Sequence, residues 1–383
     1  MVDKIQKAID NKNYSCGVFI DLCKAFDTVD HHILLDKLEY YGIRGIAHKW
    51  FSSYLSNRSQ FVSIGQIESG PQQILCGVPQ GSVLGPLLFL LYVNDLHKCS
   101  NVLDFHLFAD DTNIFLQDQN LKSLELKLNE ELDKVNQWLQ SNRLSLNIDK
   151  TNFVIFHPPQ RKPQPVSLKI SGRPVEQMTY IKYLGLIIDC HLNWKKHAHE
   201  VSKKISRGIG ILSKLRHFVT NDILTQLYYS LVYPFLTYGL IVWGNTYTTT
   251  LKPIVILQKK AVRIITFSKR DAHSSPLFSQ LGLIKLMGLV SIHTALFLFQ
   301  YHHNLLPKAF DNFFLSISSK HNYNTRLASK STYYINRVRT NYGKFNLHFS
   351  GPSIWNNLDE ELKSLSLHSF KQTMNKHYLS TYG

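Results

Sequence analysis

Val102-Leu103-Asp104-Phe105-His106-Leu107-Phe108-Ala109-Asp110-Asp111-Thr112-Asn113-Ile114-Phe115-Leu116 is the stretch on which the reading of this chain turns. Two apolar runs, Val102 to Phe108 and Thr112 to Leu116, flank Ala109-Asp110-Asp111, which predicts a β-hairpin with two acids at its tip. Unpaired carboxylates beside apolar runs are costly unless a cation compensates them. Asp also favours turns for local reasons and needs no metal there, so the pair alone admits both readings. A third acid changes the balance. Cys16 to Asp21 is a short apolar run that ends in a carboxylate, as a buried strand does. A strand presenting one acid next to a hairpin presenting two would suit Mg²⁺, a hard cation that takes oxygen ligands. Two such ions about 3.5–4 Å apart can activate the attacking oxygen and stabilise the leaving oxygen of an in-line phosphoryl displacement.

Outward from the hairpin, the pattern alternates short strands with helices. Asp30 predicts an N-cap for a helix through Tyr41, with Ile33, Leu34, Leu38 and Tyr41 on one face. Gln60 to Ile64 and Gln73 to Cys76 read as strands, and Ser82 to Leu96 as a helix entered from a Gly/Pro-rich turn. Leu121 to Leu139 is an amphipathic helix with Leu124, Leu128, Leu132 and Val135 on its apolar stripe. A loop from His157 to Pro165 precedes further strands up to residue 190. From Trp194 a long helix carries an apolar stripe of Val201, Ile205, Ile209 and Leu212 among Lys195, Lys196, Lys203, Lys204 and Arg207. The remainder reads as helical.

The 383 residues are 44% hydrophobic, enough for two or three domains. The net charge of +16 is concentrated: residues 1–189 hold 19 basic and 20 acidic side chains, residues 190–383 hold 24 and 7. A polyanion is the natural partner of the second half, because Lys and Arg neutralise phosphates and release counterions. Basic residues interleaved with aromatics recur at Lys259, Lys260, Arg263, Lys269 and Arg270, and at Arg337 and Arg339 near Tyr333, Tyr334 and Tyr342. That pairing suits single-stranded nucleic acid and suits plain packing equally. No apolar run approaches the ~18 residues of a membrane span, and the opening lacks the apolar core of a secretory signal. The five cysteines are widely spaced with no C-x-x-C pair, which indicates neither zinc nor a disulfide framework. An intracellular, non-secreted location in nucleus or cytoplasm is expected.

Five segments together resemble the motifs of reverse transcriptases from non-LTR (LINE-type) retrotransposons, in that family's order. Ser15 to His32 (S-C-G-V-F-I-D-L-C-K-A-F-D-T-V-D-H-H) looks like motif A. Gly77 to Leu96 (G-V-P-Q-G-S-V-L-G-P-L-L-F-L-L-Y-V-N-D-L) looks like motif B, and Phe108 to Thr112 (F-A-D-D-T) like motif C. Leu146 to Phe156 and Ile181 to Asp189 are similar to motifs D and E. The tail resembles elements of the jockey and chicken-repeat type, at Asn324-Thr325-Arg326 and Gly351-Pro352-Ser353-Ile354-Trp355-Asn356. The resemblance implies an α+β right-hand polymerase palm, an antiparallel sheet backed by helices, with a helical thumb and a helical basic C-terminal region. It implies an RNA-directed DNA polymerase that uses an RNA template, a DNA primer, dNTPs and two Mg²⁺ ions, with Mn²⁺ as a substitute. Asp21 and Asp110 would bind both metals, with Asp111 the outer partner and the Leu22 carbonyl completing the shell. Lys24 and Ala25 would offer backbone amides to the triphosphate, and Phe26 would be the steric gate against a ribose 2′-OH. Gln80 and Gly81 would meet the incoming nucleotide, and Lys150 would be the acid for the pyrophosphate leaving group. Leu184 and Gly185 would fall in the hairpin that grips the primer.

The implied division is a palm with partial fingers over 1–190, a thumb-like basic region over 191–270 and a C-terminal basic region over 271–383. The family's upstream fingers are largely missing from this sequence, which reads as truncated at its N-terminus. No endonuclease, ribonuclease H constellation or terminal zinc knuckle is visible. A second reading therefore stands beside the polymerase: a catalytically inactive retroelement remnant that only binds nucleic acid. Within the enzyme class, a group II intron maturase is the alternative.

Overall fold

A computed structural model describes residues 1–317 and 332–382; Asn324-Thr325-Arg326 lies outside the described residues. The chain divides into two compact units, residues 12–179 with Met1, and residues 2–11 with 180–383. Helix α1 (Val2–Asp10) thus belongs to the second unit.

The first unit is built on β1 (Tyr14–Ile20). It continues through α2 (His31–Tyr40) and α3 (Gly45–Leu55) to four two-residue strands: β2 (Ser59–Gln60), β3 (Ser63–Ile64), β4 (Ile67–Glu68) and β5 (Gln72–Gln73). Then come α4 (Leu84–Val93), β6 (Asp104–Phe108), β7 (Asp111–Asp118), α5 (Leu121–Ser141) and β8 (Asn152–Phe156). The short strands β9 (Lys169–Ile170), β10 (Arg173–Pro174) and β11 (Glu176–Gln177) close the unit. The main sheet has the order β11-β8-β1-β7-β6. Its four longer strands are antiparallel, as expected; β11 adds to β8 in parallel, a departure from the all-antiparallel expectation.

β1 alternates, as a strand must. Cys16, Val18 and Ile20 join the core with Leu34 and Leu38 of α2, Leu88, Phe89 and Tyr92 of α4, and Leu124, Leu128, Leu132 and Val135 of α5. Each such fully buried aliphatic side chain contributes about 1.5–3 kcal/mol. The sheet is therefore backed by helices on that face, the palm architecture. Asp30 caps α2, its carboxylate accepting from the His32 and Ile33 amides at 2.9 and 3.0 Å. Burial opposes ionisation of Asp30, but those amides and the Arg143 guanidinium, 2.5 Å away, hold it below the usual carboxylate range. The expected strands at Gln60–Ile64 and Gln73–Cys76 are shorter and differently bounded. Their side chains are exposed, so no buried face enforces a longer ladder.

The second unit opens its long stretch with the hairpin β12 (Tyr180–Tyr183) and β13 (Leu186–Asp189), followed by α6 (Lys195–Leu215). The boundary falls after Thr179 and not at 190, because this hairpin is tied to α6. The buried Asp189 carboxylate accepts from the His191, Asn193 and Trp194 amides at 3.1, 3.2 and 2.9 Å. Next come α7 (Asn221–Leu231), α8 (Tyr233–Thr237), α9 (Leu240–Trp243), α10 (Thr248–Ile265), α11 (Ser274–Gln280) and α12 (Leu286–His302). They are followed by α13 (Asn341–Phe345), α14 (Leu347–Trp355), α15 (Glu360–Lys363) and α16 (Leu367–Ser380). α1 is held here by Asp10, whose carboxylate accepts from the Thr340 amide at 2.7 Å and the Arg339 amide at 3.1 Å. Trp355, from the tail segment that resembles the jockey-type elements, is fully buried. No helix among the described residues is long and apolar enough to cross a membrane.

Candidate active site

The three acids lie at one end of the main sheet. β1 pairs with β7 so that Ile20 faces Thr112, and β6 pairs with β7 so that Phe108 faces Asp111. Asp21, the next residue after Ile20, therefore comes level with Asp111, and Asp110 sits in the hairpin turn beside them. Ala109 enters that turn with φ +51°, a left-handed conformation that costs an alanine about 1–2 kcal/mol. Strain of this kind persists where the surrounding structure imposes it, and it clusters at functional sites.

Asp21 is held from the other side by the 145–151 segment. Its carbonyl accepts from the Asn147 amide at 2.9 Å, its amide donates to Thr151 Oγ1 at 3.3 Å, and the Cys23 amide donates to the Ser145 carbonyl at 2.8 Å. Leu22, bridged to Leu146, lies between these bonds. The motif D segment thus grips the motif A carboxylate through the backbone. Lys150 Nζ stands 4.0 Å from Asp21 Oδ2, with the lysine largely in solvent and the aspartate partly exposed.

The electrostatics of the trio are unbalanced. Burial, and then the charges of Asp110 and Asp21, push the Asp111 carboxyl above the usual range. The carboxylate oxygens of the three are not drawn together within 4.8 Å as one ligand set, but their charges reach Asp111, and a hard divalent cation bound among them would relieve that repulsion.

The nucleotide-side candidates form a second layer. Lys24 is exposed with φ +47°, and its carbonyl accepts from the Asp27 amide at 2.8 Å, which turns the chain back after Asp21. The Ala25 side chain is buried, and the half-buried Phe26 packs on Phe89 of α4 with ring centroids 4.6 Å apart. The Val78 amide donates to the Phe26 carbonyl at 2.8 Å and the Gly77 amide to the Val29 carbonyl at 2.7 Å, so motifs A and B run side by side. Gln80 is exposed and donates through Nε2 to Asp27 Oδ1 at 2.7 Å. Gly81 has φ +78° and open space around it. A groove of about 880 Å³ runs here, with Lys24, Asp27, Arg58, Gln60, Gln73 and Gln80 among its lining.

The structure brings Asp21, Leu22, Asp110, Asp111 and Lys150 to one end of the sheet, and Lys24 and Gln80 to the groove beside Asp27, whereas Phe26 and Gly81 are not among the residues that line that groove. Leu184 and Gly185 form the turn of the β12–β13 hairpin in the second unit, where Tyr238 donates its hydroxyl to the Leu184 carbonyl at 2.8 Å. Sequence reasoning missed Asp27, Arg58 and Thr151. Asp27 lies inside the motif A segment and was readable as a polar residue six positions after Asp21. Arg58 and Thr151 carry no local signal.

Residues 2–188 match the sequence profile described as reverse transcriptase (RNA-dependent DNA polymerase). That segment, just under half of the chain, is similar to reverse transcriptases. The chain's relatives include RNA-directed DNA polymerases of mobile elements. It is 28% identical over 80% of its length to the probable RNA-directed DNA polymerase from transposon X-element of Drosophila melanogaster, covering 34% of that protein. It is 29% identical over 68% of its length to the RNA-directed DNA polymerase from mobile element jockey of the same fly, covering 29% of it. The corresponding protein of transposon BS is 28% identical over 79% of this chain, with 35% of that protein covered. The chain thus spans about a third of the length of these relatives. Among solved structures, apo telomerase from Candida tropicalis aligns over 73% of this chain and 48% of its own, at 13% identity and a TM-score of 0.37.

Proposed function

We propose that this chain is the catalytic core of an RNA-directed DNA polymerase, transferring nucleotides from dNTPs to a primer 3′-OH on an RNA template. The observation that carries the reading is the convergence of Asp21, Asp110 and Asp111 at one end of the sheet, with the Asp111 carboxyl pushed up by burial and then by the charges of the other two. Asp21 and Asp110 would hold two Mg²⁺ ions, or Mn²⁺ in their place, with Asp111 and the Leu22 carbonyl at the periphery. Such ions, when bound, stabilise the charge that develops on the transferring phosphoryl group. The chain's own residues orient the rest. Lys24 and Ala25 present backbone to the triphosphate. Gln80, steered by Asp27, and Gly81 meet the sugar and base. Lys150 supplies a proton to the leaving pyrophosphate. The basic second unit, through α6, would lie along the duplex backbone.

The test is Asp110→Asn, which preserves size and hydrogen bonding but removes a metal-binding charge. In primer extension with the longest open frame that contains this chain, the variant should incorporate no dNTP. Its affinity for a primer–template should stay near wild type, because that affinity arises from Lys and Arg elsewhere. Equal extension by both proteins would make Asp110 a turn residue only. Tight binding with no extension by either would favour the second reading, an inactive element that retains only nucleic-acid binding; the concentration of basic residues in 190–383 is what keeps that reading in play.

A further inference from the structure

α10 and α12 enclose, with the turn that leads into α11, a cavity of about 320 Å³ in the second unit. Lys259 and Arg263, one helical turn apart on α10, face it together with Lys285 at the N-cap of α12 and His273 before α11. All three permanent cations are only partly exposed, unlike Lys252, Lys260 and Lys269 nearby, which are in solvent. Asp271 is the one acid among the lining residues.

Two of the cations, Arg263 and Lys285, are held in place by something other than an opposite charge. Arg263 donates its Nε–H to the Ala272 carbonyl at 2.9 Å, which orients the guanidinium while leaving its terminal N–H groups available. Lys285 Nζ donates to Ser275 Oγ at 2.7 Å and rests 4.0 Å from the centre of the Tyr382 ring. Burial, and then the positive charge of Lys259, hold Lys285 below the ordinary lysine value, and no carboxylate raises it. Lys259, Arg263 and Lys285, with Ser274 and Ser275 in the same lining, offer donors from which one tetrahedral anion could accept.

We infer that this cavity is a binding site for a backbone phosphate of nucleic acid, with Lys259, Arg263 and Lys285 as its ligands. The inference rests on the proposed polymerase reading, which supplies the polyanion, and deepens it by assigning one phosphate to one pocket. It also separates the two uses open to the basic cluster at 259–270. Lys259 and Arg263 are ligands, whereas Lys260, Lys269 and Arg270 belong to the solvated surface.

The experiment measures the affinity of the full chain for a fluorescein-labelled RNA–DNA hybrid as a function of KCl. Lys259→Gln and Arg263→Gln are compared with wild type and with Lys252→Gln, an exposed position on the same helix that does not line the cavity. Because one phosphate contact contributes about 0.7–0.9 to the slope of log K against log salt, each pocket variant should flatten the slope by about that amount. Lys252→Gln should leave it unchanged. Circular-dichroism melts establish that the variants fold, and Lys259→Gln keeps the test open if Arg263→Gln disturbs the 272 turn. Wild-type slopes in both pocket variants would overturn the site, as would equal flattening by Lys252→Gln. In a second arm, inorganic phosphate is titrated at constant ionic strength. Protection of wild type from thermal unfolding, lost in Lys259→Gln with the hybrid slope unmoved, would mean a free-anion site and would overturn the nucleic-acid assignment. A chain that binds no hybrid even at low salt fails the polymerase reading itself, an outcome distinct from binding with unaltered slopes.

Discussion

Lys150 Nζ lies 4.0 Å from Asp21 Oδ2, so the basic residue proposed to serve the leaving group touches the acid proposed to hold the metals. Lys150 is largely exposed and Asp21 partly so, and at 4.0 Å the ion pair contributes little to stability. Its meaning is positional. The Asn147 and Thr151 hydrogen bonds to the Asp21 backbone fix the short segment that carries Lys150. Lys150→Gln should therefore lower the rate of single-nucleotide incorporation by roughly 10²-fold, the lower range for loss of a general acid. The dNTP concentration at half-maximal rate should hardly move, and thermal stability should be unchanged. Rapid-quench kinetics across pH provide the check, because loss of an acid also removes a limb of the pH–rate profile. Wild-type rates in Lys150→Gln would reduce Lys150 to a surface residue.

The raised Asp111 carboxyl makes a prediction about pH and metal. A carboxyl whose folded-state pKa exceeds its unfolded value binds its proton more tightly when folded. Metal-free protein should therefore lose stability as pH rises from below the ordinary aspartate value through the raised one, with the cost complete at neutral pH. Asp111→Asn should raise the melting temperature at neutral pH by about 1–2 °C, a small gain because the group is solvent-accessible. The gain should vanish in acid, where Asp111 is already protonated. Mg²⁺ should raise the melting temperature of wild type at neutral pH and do much less for Asp110→Asn. Scanning fluorimetry with and without Mg²⁺ reads all of these. If Asp111→Asn destabilises the metal-free protein at neutral pH, mutual repulsion is not what burdens the trio.

What could be read in the sequence was what local pattern encodes. The run to Asp21, the Asp30 cap, the Asp110-Asp111 hairpin and the α5 stripe each rest on periodicity or on one capping residue, and each element is where the pattern put it. α3 was not anticipated. Its N-cap, Arg44, makes no side-chain capping bond, and within α3 only Leu55 is buried, so neither a start signal nor an apolar stripe marks it. The Asp27–Gln80 hydrogen bond joins residues 53 apart in sequence, and no period links them. The parallel addition of β11 depends on where a two-residue strand returns to the sheet, which composition does not encode.

Gly77 is a position where backbone chemistry leaves no choice. Its φ is +89°, and a Cβ there would lie 2.8 Å from the Asp27 carbonyl oxygen and 2.9 Å from the Asp27 Cα. Both obstacles are backbone, in the segment that motif B pairs with through Gly77 and Val78. Gly77→Ala should cost about 2–4 kcal/mol, combining left-handed strain with a clash that no side chain can yield to. Gly81→Ala provides the contrast: φ is +78° but nothing lies within 4 Å of the added carbon, so strain alone remains, about 1 kcal/mol. Urea denaturation should rank the two variants in that order. Equal midpoints would show that the motif A–B contact relaxes without cost.

Phe26 offers the sharpest separation between packing and chemistry. Its ring meets Phe89 at 4.6 Å, yet the residue is only half-buried, so the contact with α4 does not cover it completely. If the proposed gate role holds, the ring rejects a ribose 2′-OH by occupying its space. Phe26→Val keeps a β-branched apolar contact with Phe89 while withdrawing most of the ring. A residue that only packs would lose stability, by about 1–3 kcal/mol, and would slow dNTP and rNTP incorporation together. A gate would instead change the ratio. Incorporation of rNTP relative to dNTP should rise at least tenfold, within the 10–200-fold range that small steric differences in a pocket supply. The dNTP rate itself should fall only modestly. Phe26→Tyr should retain the wild-type ratio, because the ring is kept. Paired single-turnover measurements with dNTP and rNTP on one primer–template decide the matter. An unchanged ratio in Phe26→Val, with a lowered melting temperature, would assign the ring to the core.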